Sequence, residues 1–121
     1  MKKKIFFILL GFLFINCNSQ VEIKSISTKE LKVLLSEKNI QLLDVRSPNE
    51  IKKGFIKTAI FTNYFDDDFY KQASIKLNKN KSVYLYCRSG NRSAKAAIIL
   101  KGKGYDVYNI LGGFNQWKKE N

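Results

Sequence analysis

The chain reads as a single α/β domain built around a mostly parallel sheet. Two features of the pattern carry that expectation: segments of strand and helix character alternate along the chain, and the connections between them are short. A third is size and composition. The 121 residues hold one domain, and 45% apolar residues with a single Pro, no internal repeat and no low-complexity run are globular in character.

The elements follow in order. Ser27-Thr28-Lys29-Glu30 has the capping-box pattern, and Leu31, Leu34 and Leu35 continue it at one-face spacing, which predicts a helix over Ser27 to Lys38. Ile40 to Val45 is a short apolar run closed by Arg46-Ser47-Pro48, a buried strand leading into a turn. Ala59 to Thr62 is a weaker strand. Asp66-Asp67-Asp68 supplies an acidic first turn for a helix reaching Leu77, favourable at the positive end of its dipole. Ser82 to Tyr86, β-branched and aromatic, is a strand. Ser93 to Leu100 is an Ala-rich helix with little polar face, stopped by Gly102 and Gly104. Asp106 to Leu111 is the last strand, and Gly112-Gly113 opens a terminal helix with Trp117 as a core anchor.

Residues 1–16 read as an address and not as part of the fold. Lys2, Lys3 and Lys4 form a basic start, and the apolar run Ile5 to Ile15 is too short to span a bilayer, which needs about 20 residues. Cys17 stands where a bacterial lipoprotein signal places its lipidated cysteine. The lead-in Phe14-Ile15-Asn16 matches that pattern loosely, because Asn16 is larger than the usual Gly, Ala or Ser. The expectation is a signal peptide over 1–16, a lipid-anchored tether over 17–22, and a folded domain over 23–121 at the periplasmic face of a bacterial membrane, or soluble in the periplasm if Cys17 is not lipidated. A Cys17–Cys87 disulfide would block the domain's only thiol and is not expected.

Composition excludes several chemistries. There is no histidine, which removes Cys-His and Ser-His pairs, His-ligated zinc and imidazole bases together. Lys and Arg number 22 against 10 Asp and Glu; with the three leader lysines set aside, 19 against 10 leaves +9. That balance suits small anions or an anionic surface, while no nucleic-acid motif accompanies it.

In parallel sheets ligands bind at the carboxyl ends of the strands, and Cys87 falls at such an end, directly after Val83-Tyr84-Leu85-Tyr86. Cys87-Arg88-Ser89-Gly90-Asn91-Arg92-Ser93 joins that strand to the Ala-rich helix. Unpaired backbone N–H groups and the helix dipole converge there and stabilise a thiolate, Gly90 permits a tight path, and Arg88 and Arg92 add positive charge. A nucleophile is thereby activated without histidine. By itself Cys87 would read as an inert core cysteine; the cationic glycine-containing loop reverses that reading.

This loop resembles the active-site loop of single-domain rhodaneses (thiosulfate sulfurtransferases). Two further segments match in the expected order: Asp44-Val45-Arg46-Ser47-Pro48-Asn49-Glu50, continuing to Gly54-Phe55-Ile56, and Leu111-Gly112-Gly113-Phe114-Asn115-Gln116-Trp117. The resemblance spans about residues 21 to 119. It implies a three-layer domain whose sheet has about five strands flanked by helices, and a two-step transfer. Cys87 takes sulfur from a small anionic donor such as thiosulfate, forms a persulfide, and passes the sulfur to cyanide or a thiol. Arg88 through Ser93 would form the substrate-binding loop. Asp44, Arg46 and Glu50 would brace it from behind, with Arg46 and Glu50 paired. No metal or other cofactor is implied, and a monomer is expected. Phe55, Thr58 and Phe61 depart from the usual His, Gly and Asn at what look like packing and turn positions.

Two rivals use other classes of function. Phosphatases and arsenate reductases place five residues between Cys and Arg to surround an oxyanion, whereas four stand between Cys87 and Arg92. A rhodanese-like module that binds a partner or carries persulfide without turnover is the other alternative.

Overall fold

The computed structural model describes residues 21–121; the expected leader and Cys17 lie outside the described residues. The elements are β1 Lys24–Ile26, α1 Thr28–Glu37, β2 Gln41–Asp44, α2 Pro48–Lys52, β3 Ile60–Phe61, α3 Phe69–Lys76, β4 Val83–Tyr86, α4 Asn91–Gly102, β5 Val107–Ile110 and α5 Gly113–Glu120. The five strands form one sheet in the order β1-β5-β4-β2-β3, and every pairing is parallel. Neighbouring parallel strands need crossovers, so the alternation of strand and helix in the sequence is the alternation of layers in space.

β4, and β2 with its flanking Ile40 and Val45, read as largely apolar runs because both faces of the central sheet are covered. Period-two alternation then divides them. Leu43, Val83 and Leu85 pack with Ala73 of α3 and with Ala96, Ala97 and Leu100 of α4. Leu42 and Tyr86 pack on the opposite face with Leu31 of α1 and Phe114 of α5. α4 buries Ser93, Ala96, Ala97 and Leu100, a single stripe at helical spacing whose small side chains let the helix lie close to the sheet. Trp117 is half-buried against the second cluster, at its margin and not inside it.

Three local expectations need correction. β1 was not foreseen: its three residues carry one apolar side chain of consequence, and backbone pairing of Lys24, Ser25 and Ile26 with Tyr108, Asn109 and Ile110 defines it. The acidic triplet does not form the first turn of α3, which starts at Phe69. Asp66 turns the chain instead, its carbonyl accepting from Phe69 N at 3.0 Å while Gln72 Nε2 donates to Asp66 and Asp68. α4 begins at Asn91, two residues earlier than the apolar pattern indicates, because Gly90 caps it with φ +117°.

Candidate active site

The carboxyl ends of β2, β4 and β5 bring three segments together: Arg46 after β2, the 87–93 loop after β4, and Gly112-Gly113 after β5. Cys87 is 1% exposed and belongs to the core cluster under α4. The loop curls back over its sulfur. Gly90 N donates to Cys87 Sγ at 3.1 Å, and the Ser93 hydroxyl lies 3.4 Å from the same sulfur. A φ of +117° at Gly90 makes this curl possible, in a region that side chains other than glycine rarely enter.

The loop's carbonyls are held on its other side. Phe114 N donates to Cys87 O at 2.8 Å and Asn115 N to Arg88 O at 3.0 Å, so the first turn of α5 binds the strand-end carbonyls. Gly113 is what allows that approach, since a Cβ there would lie 2.5 Å from Cys87 O and 2.7 Å from Arg88 C. Gly90 O is fixed by Asn109 Nδ2 at 3.3 Å and by the Ser93 hydroxyl at 3.2 Å, and the Ser93 hydroxyl lies 2.6 Å from Asn109 Oδ1.

These contacts set the acidity of Cys87. Burial pushes the thiol's pKa up, but the Ser93 hydroxyl and the Ser93, Gly90 and Ser89 amides together outweigh burial and hold it below the ordinary thiol value.

Asp44, Arg46 and Glu50 do not pair as the sequence indicates. Arg46, 3% exposed, lies on Asp44 and not on Glu50: its Nε is 2.9 Å from Asp44 Oδ1 and one terminal nitrogen 2.6 Å from Oδ2. The same guanidinium donates to Gly54 O at 2.9 Å and covers the Phe114 ring at 4.2 Å. A buried cation requires a buried counter-charge, and Asp44, fully buried at the end of its strand, provides one. Glu50 is engaged elsewhere. It closes the capping box of α2 with Ser47 and takes both terminal nitrogens of Arg92, at 2.8 and 2.7 Å. Arg92 hydrogen bonding lowers the Glu50 carboxyl to about 2. Arg92 thus ties the start of α4 to α2.

Arg88, Ser89 and Asn91 are exposed on the outer side of the loop, and Ser93 is buried. Beside the loop opens a cleft of about 310 Å³ lined by Arg46, Lys53, Arg88, Phe114 and Lys118 among others. The three departures lie outside it. Phe55 and Phe61 pack edge to face at 5.1 Å near the surface, and Thr58 occupies a turn with φ +74°. Among the described residues no three His, Cys, Asp or Glu side chains gather as metal ligands.

Asn109 escaped the sequence reading, and so did the close approach that Gly113 allows. Asn109 carries a signal in hindsight, as a polar residue at an inward position of an apolar strand. The Gly112-Gly113 pair marks the start of the terminal helix in the sequence, but its contact with Cys87 and Arg88 depends on tertiary packing.

Comparison with known proteins identifies the family. The rhodanese-like domain family matches residues 27–120. Among curated proteins, "Putative sulfurtransferase YtwF" of Bacillus subtilis is 33% identical over 101 residues, 83% of this chain and 95% of that protein. "Uncharacterized protein YqhL" of the same organism is 40% identical over 78 residues, 64% of this chain; the match covers 60% of YqhL, less than two thirds of its length. The crystal structure of a rhodanese-like domain protein from Staphylococcus aureus aligns with TM-score 0.72 at 38% identity, covering 78% of this chain and 91% of that one. With its five-stranded parallel sheet and a match across most of its length, the chain belongs to the rhodanese-like domain family.

Proposed function

We propose that this protein is a sulfurtransferase in which Cys87 carries sulfur as a persulfide. In the first step the Cys87 thiolate attacks the outer sulfur of a donor such as thiosulfate. A bond forms between the two sulfurs, the donor's S–S bond breaks, and its electron pair leaves with sulfite. In the second step cyanide or a thiolate attacks the outer sulfur of the persulfide, and the electron pair of the broken bond returns to Cys87. Splitting one transfer into two displacements is covalent catalysis.

The observation that carries this reading is the environment of Cys87 Sγ, with Gly90 N at 3.1 Å, Ser93 Oγ at 3.4 Å and an acidity raised despite burial. Those donors suit both the thiolate and the negative charge of a persulfide. The exposed Arg88 is suited to attracting an anionic donor. Arg92 argues against phosphoryl chemistry, because its guanidinium is committed to Glu50 and does not close over the loop as an oxyanion clamp would. A thiosulfate:cyanide assay of the full chain in mild detergent tests the proposal. Sulfite and thiocyanate should form in equal amounts, and no turnover with any sulfane donor would overturn it.

From the sequence pattern alone we also propose that residues 1–16 export the chain and that Cys17 carries a lipid anchor. In a bacterial host the protein should fractionate with membranes, and Cys17→Ser should release it or leave it unprocessed. Recovery of wild type as soluble protein beginning after Cys17 would contradict the anchor.

A further inference from the structure

The cleft beside the loop is larger than a small inorganic donor needs. Its volume of about 310 Å³ lies at the low end of sites that enclose whole organic ligands, roughly 300–1,000 Å³. Its charges are also unequal in kind. Arg46 is neutralised by Asp44 and Glu50 by Arg92. Lys53, Arg88 and Lys118 form no ion pair among the described residues. Lys53 follows α2, Lys118 lies on α5 and Arg88 adjoins Cys87, so three uncompensated cations reach one cavity from three segments. Part of its wall is the Phe114 ring, which Arg46 covers at 4.2 Å and Lys118 approaches at 5.6 Å.

We propose that this cleft selects the sulfur acceptor, and that the acceptor is an organic thiol bearing two or more negative groups. The inference rests on the persulfide reading and names the substrate class for its second step. The anionic groups lie against Lys53 and Lys118, the carbon body against Phe114, and the thiolate points past Arg88 toward the loop. Its sulfur attacks the outer sulfur of the Cys87 persulfide. A new S–S bond forms on the acceptor, the bond to Cys87 Sγ breaks, and the electron pair stays on Cys87 as thiolate. No net oxidation or reduction accompanies the transfer. Cations that are not already paired give attraction for an anion without first breaking another contact. Glu50, the one carboxylate in the lining, is paired with Arg92, so the cleft's uncompensated charge is of one sign, an arrangement that raises encounter rates by about 10- to 1,000-fold.

The test separates loading from discharge. The full chain is loaded with thiosulfate, the persulfide is verified by intact mass, and discharge is timed with mercaptosuccinate, 2-mercaptoethanol and cysteamine, with rates expressed per thiolate. At low ionic strength mercaptosuccinate should be faster than 2-mercaptoethanol by about tenfold or more and cysteamine slowest, and added salt should compress the series. Lys53→Gln with Lys118→Gln should bring the mercaptosuccinate preference below about threefold, whereas Lys57→Gln, outside this cleft, should retain it. Normal loading with equal per-thiolate rates, or a preference unchanged in the double variant, would overturn the acceptor assignment while leaving the persulfide reading intact. A charge preference confined to loading would transfer the cleft to the donor and also overturn it. Failure to load any sulfur would remove both.

Discussion

Replacing Ser93 by Ala isolates one contribution to the acidity of Cys87. Among the described residues the hydroxyl is the only side-chain donor to the sulfur, at 3.4 Å, while the amides that share the task belong to the backbone and remain. A hydrogen bond to a charged group contributes about 1.5–3 kcal/mol, and a serine hydroxyl has one proton. Here that proton has three acceptors within reach: Cys87 Sγ, Gly90 O at 3.2 Å and Asn109 Oδ1 at 2.6 Å. The long contact and the competition place the effect at the low end, about 1.5 kcal/mol, and its loss moves the thiol's pKa upward. Alkylation by iodoacetamide followed against pH reads this directly. Below both pKa values the variant should react about tenfold more slowly, while its high-pH plateau should match wild type. Circular dichroism and thermal melting establish that the fold persists. An unchanged profile in a folded variant would refute the claim that Ser93 acts on the sulfur. A lowered plateau would show instead that the loop had moved.

Arg88→Ala should raise KM for thiosulfate by about fivefold or less, the scale of an exposed ion pair, and the penalty should fade with salt; a salt-independent loss of kcat would contradict a steering role. Glu50→Gln should cost about 1–2 kcal/mol at neutral pH, since the Arg92 pair is bidentate but part exposed. Because Glu50 titrates at about 2 in the fold against an ordinary 4.5, its stabilisation is complete above about 4.5 and is lost as pH falls toward 2. The gap between variant and wild type in denaturant unfolding should therefore narrow over that window, and a constant gap would refute the ion-pair origin. Thr58→Gly should stabilise the fold by about 1 kcal/mol, because strain of about 1–3 kcal/mol at a β-branched residue with φ +74° exceeds the entropic cost of glycine, about 0.5–1 kcal/mol. A lower melting temperature in that variant would show that the Thr58 side chain makes a compensating contact.

The fold was legible where local chemistry and burial agree. Ser27 and Glu30 form the capping box that their spacing indicates, and β2, β4 and β5 are the expected strands whose side chains are largely covered on both faces. β1 was not legible, since backbone pairing to β5 defines it and no apolar run marks it. At the site, the position of Cys87 at a strand end and the glycine that lets the loop curl could both be read from sequence. The partners of the buried charges could not. Ser47 and Glu50 repeat the Ser-x-x-Glu spacing of the first capping box, which was the available sign that Glu50 serves α2. Its second partner, Arg92, arrives from 42 residues away, and only the packing of α4 beside α2 brings them together. Asn109 is similar: the strand reads as apolar, and the role of its one inward amide depends on Gly90 and Ser93 from the neighbouring connection.

The most direct test of the central claim is intact-protein mass after thiosulfate treatment of the Cys17→Ser chain, in which Cys87 is the one remaining thiol. The chain should gain one sulfur atom, removed by cyanide, and should gain none when Cys87 is also replaced by Ser in a protein that remains folded. An adduct that persists without Cys87, or a folded chain that takes up no sulfur from thiosulfate or another sulfane donor, would contradict it.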